Sequence, residues 1–333
     1  LFILTIIITF TFFIYIRYRK YIAYKFHRTN VDNINMCVIE KDCVDISLAW
    51  KELNLPSACL ALASTNSSNV DFFICNDINP YTHIAVFSGT KLVTAVYIWK
   101  LFLEKGLSFD TKLSQVLSWN RTDISKDVKL HHFSSMTSGM PCLMIDIDTD
   151  WWHSPGTIFD YCTYSFEYLG SVAAHMYNKN IRTLMNNTLP EGMYFPENRE
   201  VILAGSLMAT THSYLSFLKN LSGNNFFTES FINNFTKSMT LQSECTWANC
   251  NPIVHNISSR WEYANGAWLH DDGMLSSMGL NGYYPYWDMQ NNTVGIIAQD
   301  GVFDYLRGPM FVVIFGFSLL VLVISDPCWW NIF

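Results

Sequence analysis

Basic charge is scarce in this chain beyond its first 28 residues. Arg17, Arg19, Lys20, Lys25 and Arg28 account for five of the 21 basic residues, and no acid falls among them, so the rest of the chain sets 16 basic residues against all 28 acidic ones. A surface of that sign repels phosphate backbones and excludes nucleic acid as a partner. Internal repeats are also missing, which excludes a solenoid or propeller array. Metal-ligand spacing is absent as well: His131, His132, His153 and His270 have neither regular intervals nor cysteine neighbours and read as packing or surface residues. Asp146, Asp148 and Asp150 imitate the opening of a calcium loop, but Trp151 and Thr157 stand where that loop needs a glycine and a bidentate acid. The expectation is no metal and no organic cofactor.

What the chain does have is apolar surface. Half of its 333 residues are hydrophobic, enough for one large domain or two intimate lobes around a substantial core. Leu1 to Ile16 carries no charge and stops at Arg17, as expected of the remainder of a signal anchor or transmembrane segment. A second apolar run follows Gly308-Pro309 and precedes Trp329 and Trp330, which makes 309–325 a candidate membrane helix and membrane lipid a partner of the two terminal segments. A connector over 17–43 and a domain over 44–305 complete the division. Seven Asn-x-Ser/Thr sites, at Asn66, Asn120, Asn186, Asn220, Asn234, Asn256 and Asn291, and nine cysteines suit an extracellular or secretory-lumen placement. Cys245 with Cys250 and Cys37 with Cys43 are the candidate disulfides. The basic run at 17–28, on the domain side of the first apolar segment, opposes that placement under the positive-inside rule.

The periodicities predict short strands over Leu60–Ala63 and Asp71–Cys75. An amphipathic helix from Phe87 to a stop at Gly106, short helical segments over Leu113–Trp119 and Leu130–Ser138, and a helix over Tyr164–Tyr177 follow. Val201–Leu221 reads as one or two helices broken near Thr210-Thr211. Glu262–Trp268, Gly282–Asp288 and Thr293–Ala298 read as strands of an antiparallel meander. Helices in the middle and strands toward the end indicate a mixed α/β (α+β) domain rather than a βαβ repeat.

One constellation carries chemistry. A serine hydroxyl becomes a nucleophile when a lysine at i+3, on the same helical face, can accept its proton. That spacing occurs twice, as Ser88-Gly-Thr-Lys91 and as Ser216-Phe-Leu-Lys219, and chance supplies it about once in a chain of this length. Context separates the two. Ser88 follows an apolar, strand-like entry and opens a helix, where amides and the helix dipole favour an oxyanion; Ser216 lies within a helix.

The stretch from Phe87 resembles the nucleophile helix of penicillin-binding proteins, class C beta-lactamases and family VIII esterases, the serine beta-lactamase-related family. Glu104 to Leu113 is similar to the turn that follows that helix. Leu130 to Pro141, with Thr137-Ser138-Gly139, is the most specific match. Pro155 to Thr163 resembles the approach to the Tyr-x-Asn motif, and Leu203 to Thr211 the later glycine-containing helix entry. Together these span roughly residues 80–300. The resemblance implies a transpeptidase-like fold, an antiparallel sheet built from both chain ends and flanked by helices, with a helical lobe and a groove between.

It also implies roles. Ser88 is the acylated nucleophile, Lys91 its base, and Tyr161 shares proton transfer with Lys91. The oxyanion is held by the Ser88 amide and an amide near Gly279 to Asn281, and Thr163 and Ser277 fall on the substrate side. Two positions depart from the pattern. Thr163 stands where an asparagine is usual, and Ser277-Met278-Gly279 stands where Lys-Thr-Gly or His-x-Gly is usual, which removes the basic residue that holds a substrate carboxylate. The expected activity is therefore hydrolysis of an ester or amide in a small-molecule or peptide-like acyl substrate, rather than of a beta-lactam. The alternative is a catalytically silent relative serving as a membrane-anchored binding or scaffold protein.

Overall fold

A computed structural model describes residues 50–51, 55–65, 71–118, 123–140, 153–223, 225–239, 262–270, 273–279 and 282–300. The terminal segments 1–16 and 309–325, the 17–43 connector, the acidic stretch at 146–150, the pairs Cys37–Cys43 and Cys245–Cys250, and Asn281 lie outside the described residues. Among the described residues no helix is long and apolar enough to cross a membrane.

Among the described residues ten strands form two antiparallel sheets. The larger joins β1 (Ala58–Ser64), β2 (Phe72–Asn76), β6 (Glu262–Tyr263), β7 (Trp268–Leu269), β8 (Met274–Ser276), β9 (Tyr284–Asp288) and β10 (Thr293–Gln299) in the order β2-β1-β10-β9-β8-β7-β6. The smaller joins β3 (His83–Ala85), β4 (Met193–Tyr194) and β5 (Met208–Thr210) in the order β3-β5-β4. Both ends of the domain meet in the large sheet, since β1 pairs with β10 from Ala58 opposite Gln299 to Ser64 opposite Thr293.

β1 is buried along its whole length because both of its faces are covered. Ala61 and Ala63 point into the main core with Val294, Ile296 and Ala298 of β10. Ala58, Leu60 and Leu62 point the other way, into a second cluster with Trp50, Tyr284, Tyr286 and Ile297. Gly295 lies opposite Tyr286, and a Cβ there would sit 2.4 Å from that ring, so only glycine admits the tyrosine across the strand. Cys59 and Cys75, neighbours across β1 and β2, form a disulfide. Cys162 is also disulfide-bonded, and its partner lies outside the described residues. Neither was among the candidate pairs, because a cross-strand pair depends on register that local spacing does not reveal.

α1 (Thr90–Glu104) runs through the middle of the molecule. The expected amphipathic helix is instead buried on nearly every side, since α3 (Thr163–Tyr177) packs against it and only the Lys100, Leu103 and Glu104 edge reaches solvent. It ends at Glu104, two residues before Gly106, whose φ of 75° turns the chain away. The other helices are α2 (Leu130–Ser134), α4 (Ile181–Thr188), α5 (Thr211–Ser222) and α6 (Glu229–Phe235). α5 lies over β1, β10 and β9.

Two expectations are corrected here. Residues 113–115 make a single 3₁₀ turn rather than a helix through Trp119. Met208–Thr210 is strand β5, and the helix starts after it, where the Thr210 side chain accepts from the Ser213 amide as an N-cap. Of the glycosylation sequons, Asn186 is tied in both directions to the Phe195 backbone, whereas Asn234 is exposed on α6.

Candidate active site

Ser88 lies in the 3₁₀ turn Phe87–Gly89 that leads from β3 into α1. Phe87 enters that turn with φ 51°, a left-handed conformation that costs an aromatic residue roughly 1–3 kcal/mol and persists only where neighbours enforce it. Those neighbours are named by their hydrogen bonds. The Val86 amide donates to Leu207 O at 3.0 Å, the Leu207 amide to Thr90 Oγ1 at 3.3 Å, and the Tyr214 hydroxyl of α5 to Gly89 O at 2.7 Å. The Ser88 amide falls in the first turn of helix, where N–H groups have no intrahelical acceptor.

One turn later, Lys91 Nζ donates to Ser88 Oγ at 3.0 Å and to Ala204 O at 2.9 Å. The ammonium also sits 4.8 Å from the centre of the Tyr161 ring. Lys91 is 2% exposed, and among the described residues no carboxylate forms an ion pair with it. Among the described residues the buried amine is thus held by one carbonyl, one hydroxyl and an aromatic face, with no carboxylate in direct contact, unlike a structural salt bridge.

Tyr161 is brought to Lys91 by the segment most specific to the family resemblance. The amides of His153, Gly156 and Asp160 donate to the carbonyls of Gly139, Thr137 and Met136, so the 136–139 turn carries 153–160 on its edge. Beyond it the Tyr161 ring stacks on Trp268 at 5.5 Å and meets Tyr263 edge-on at 5.9 Å. Lys91 thus faces the Tyr161 ring rather than its hydroxyl, and no hydrogen bond joins that hydroxyl to Ser88 or Lys91. Thr163, the first residue of α3, is exposed.

The Ser277-Met278-Gly279 segment, which follows β8, packs against the nucleophile turn. Ser277, 3% exposed, points its hydroxyl at Ser88 O (3.2 Å) and Gly266 O (3.1 Å), so its single proton is committed to backbone. Gly279 lies so close to the nucleophile turn that a Cβ would stand 2.3 Å from Val86 O. Its N–H donates to Tyr283 O at 2.6 Å. The amide that could face the Ser88 amide across an oxyanion is therefore not that of Gly279, and Leu280 and Asn281 lie outside the described residues. Gly266, at φ 80°, is pressed against the Lys91 backbone, with a Cβ 2.6 Å from Lys91 O.

Other titrating groups nearby are shifted chiefly by burial. Asp160 is pushed up to about 6 and Glu167 to about 7, the latter raised further by Glu200 and opposed by Lys91 and by the amides of Leu203 and Ala204. His132 is driven down to about 3, by burial first and by His131 second, and its Nδ1 accepts from the Lys129 amide. His270 is likewise driven down to about 3 by burial, with Nε2 2.6 Å from Ser276 Oγ. Among the described residues no cluster of histidine, cysteine or acid could hold a metal. Sequence reading missed Trp268, the Ala204 carbonyl and Glu167 as parts of this site. All three lay within segments already singled out, Trp268 in an aromatic stretch, Ala204 in the Leu203–Thr211 entry and Glu167 in the Tyr164–Tyr177 helix, but no local pattern pointed them at Lys91.

The Beta-lactamase family model matches residues 76–201, the stretch that holds Ser88, Lys91 and Tyr161. No curated protein matches the sequence. Solved structures share the fold across most of both chains. A Bacteroides dorei protein assigned to the beta-lactamases superposes with a TM-score of 0.65 at 17% identity, covering 84% of this chain and 97% of that one. A family VIII carboxylesterase gives 0.65 at 13%, over 87% and 99%. A beta-lactamase from Mycobacterium bovis gives 0.60 at 11%, over 82% and 99%.

Proposed function

We propose that this chain, whose residues 76–201 match the Beta-lactamase family model and whose fold is that of beta-lactamases and a family VIII carboxylesterase, is a serine hydrolase acting through an acyl-enzyme on an uncharged ester or amide. The observation that carries this reading is the buried Lys91 amine 3.0 Å from Ser88 Oγ, with no ion-pair partner among the described residues. Lys91 takes the hydroxyl proton as Ser88 attacks a carbonyl. The Ser88 amide and an amide of the 280–281 stretch stabilise the oxyanion, and water releases the acyl group. Tyr161 flanks the amine with its ring and, once its hydroxyl swings toward Ser88, relays the proton to the leaving group.

The substrate class follows from Ser277. With its hydroxyl spent on two carbonyls and no basic side chain at that position, the Ser277 segment offers nothing to a carboxylate, while the half-buried Tyr161 ring, backed by the buried Trp268 and Tyr263, offers an aromatic face. Neutral acyl groups therefore suit it better than beta-lactams or D-alanyl peptides. The disulfide of Cys59 with Cys75 supports an oxidising compartment.

A fluorophosphonate probe tests the reading. Covalent labelling of the full chain that disappears in Ser88→Ala supports it. Absence of labelling in the wild type would leave the silent, scaffold-like relative, a reading favoured by Thr163 facing solvent where an amide side chain is usual.

A further inference from the structure

One half-buried acid beside this site has no part in the chemistry just described. Glu167 projects from the second turn of α3, and its Oε1 is buried without a hydrogen-bond partner. It faces the Leu203–Ala204 turn, whose amides favour its ionised form. The carbonyls of the same two residues go to α1: Leu203 O accepts from Thr94 Oγ1 at 2.7 Å, and Ala204 O accepts from Lys91 Nζ at 2.9 Å. Gly170, three residues after Glu167, seats the turn tightly, since a Cβ there would meet Leu203 Cδ1 at 1.9 Å. The backbone at 203–204 thus lies between an acid and an amine, with N–H groups toward the acid and carbonyls toward the amine. Peptide dipoles in that orientation couple the two charges through the low-dielectric interior. The charged groups that act on Glu167 are Lys91 of α1 and Glu200 of the loop before the turn.

We infer that Glu167 is a positioning residue for Lys91: it fixes the turn whose Ala204 carbonyl receives the ammonium, and its charge governs how readily that ammonium releases its proton. The inference rests on the reading of Lys91 as the base for Ser88. With Glu167 ionised, the ammonium is favoured. With Glu167 neutral or replaced by glutamine, the amine gives up its proton at lower pH and serves Ser88 sooner.

Two measurements on the full chain test this separately from the hydrolase reading. In the first, ¹³C-lysine NMR follows the Lys91 signal, assigned by its loss in Lys91→Met, from pH 5 to pH 11. The titration curve of Glu167→Gln is expected to move to lower pH than that of wild type. In the second, fluorophosphonate labelling is timed across the same range. Glu167→Gln is expected to match wild type at pH 5.5, where the acid is already neutral, and to label several-fold faster near pH 8. Glu200→Gln, an exposed change, is expected to act in the opposite sense and by less, because it lets Glu167 ionise earlier.

Superposable Lys91 curves in a folded Glu167→Gln protein overturn the inference, whatever the labelling shows. A merely structural Glu167 would change the melting temperature and leave those curves where they were. Failure of wild type to label, with the NMR curves still displaced, would defeat the hydrolase and leave Glu167 in its place beside Lys91.

Discussion

The molecule contains the same Ser-x-x-Lys spacing in two settings, and they have almost nothing else in common. At the head of α1, Lys91 is buried, touches Ser88 Oγ, and has a carbonyl and an aromatic ring in place of an anion. Midway along α5, Ser216 faces solvent, and Lys219 pairs with Asp71 Oδ1 at 2.6 Å on a partly exposed edge of β2. A helix places residues i and i+3 together wherever it occurs. What sets the first pair apart is removal of the lysine from water and, among the described residues, from any ion pair, together with a turn that leaves an amide beside the hydroxyl. The pattern supplies proximity; the surrounding fold supplies the electrostatics.

That contrast can be broken by substitution, and the expected effects descend from one site to the other. Ser88→Ala is expected to abolish fluorophosphonate labelling and to lower ester hydrolysis by at least about 10³-fold. Significant residual turnover would move the nucleophile elsewhere. Lys91→Met keeps an apolar stem in the buried slot while removing the base, and a loss of about 10²–10⁴-fold in kcat is expected, with KM changing far less.

Glu167→Gln separates the settings by stability. A carboxyl raised from its ordinary range to about 7 binds extra protons in the folded state, so its contribution to stability is lost as pH rises through that value. Calorimetry should therefore find the variant no different from wild type near pH 4. Near pH 8 it should be more stable by about 1–2 kcal/mol, allowing for the partial exposure of the residue.

At the other setting, Lys219→Met removes one partly exposed ion pair. Urea unfolding should register about 0.2–1 kcal/mol, with labelling untouched. Ser216→Ala should leave both labelling and stability as they were, within about 0.5 kcal/mol. Any loss of labelling in either α5 variant would erase the distinction between the two pairs.

The part of this that was legible in sequence is the part fixed by short separations. Ser88 with Lys91 is a helical neighbour pair, and the strand-like entry before it distinguished it from Ser216 with Lys219. α3 was legible from its period. The break near Thr210-Thr211 was legible, yet the apolar run through Met208 hid a strand, because three residues show no period of their own. The burial of α1 on nearly all sides was illegible, since an apolar helix looks alike whether one face or every face is covered. The pairing of Cys59 with Cys75 depends on the register of β1 against β2. The link from Glu167 to Lys91 depends on a turn about 40 residues further along. Long-range placement of this kind is set by packing, and no local pattern encodes it.

The meeting of β1 with β10 has a consequence for how the chain is made. Some 230 residues separate the two strands, which at roughly 5–20 residues per second amounts to about 10–50 s of translation. Through that interval one long side of a strand destined for complete enclosure, Ala-Cys-Leu-Ala-Leu-Ala-Ser, has only the β2 hairpin as company. Its other side stays an open template for any passing extended segment. Pairing with β2, tied by the Cys59–Cys75 crosslink, is what the fold gives that strand before its last neighbour arrives.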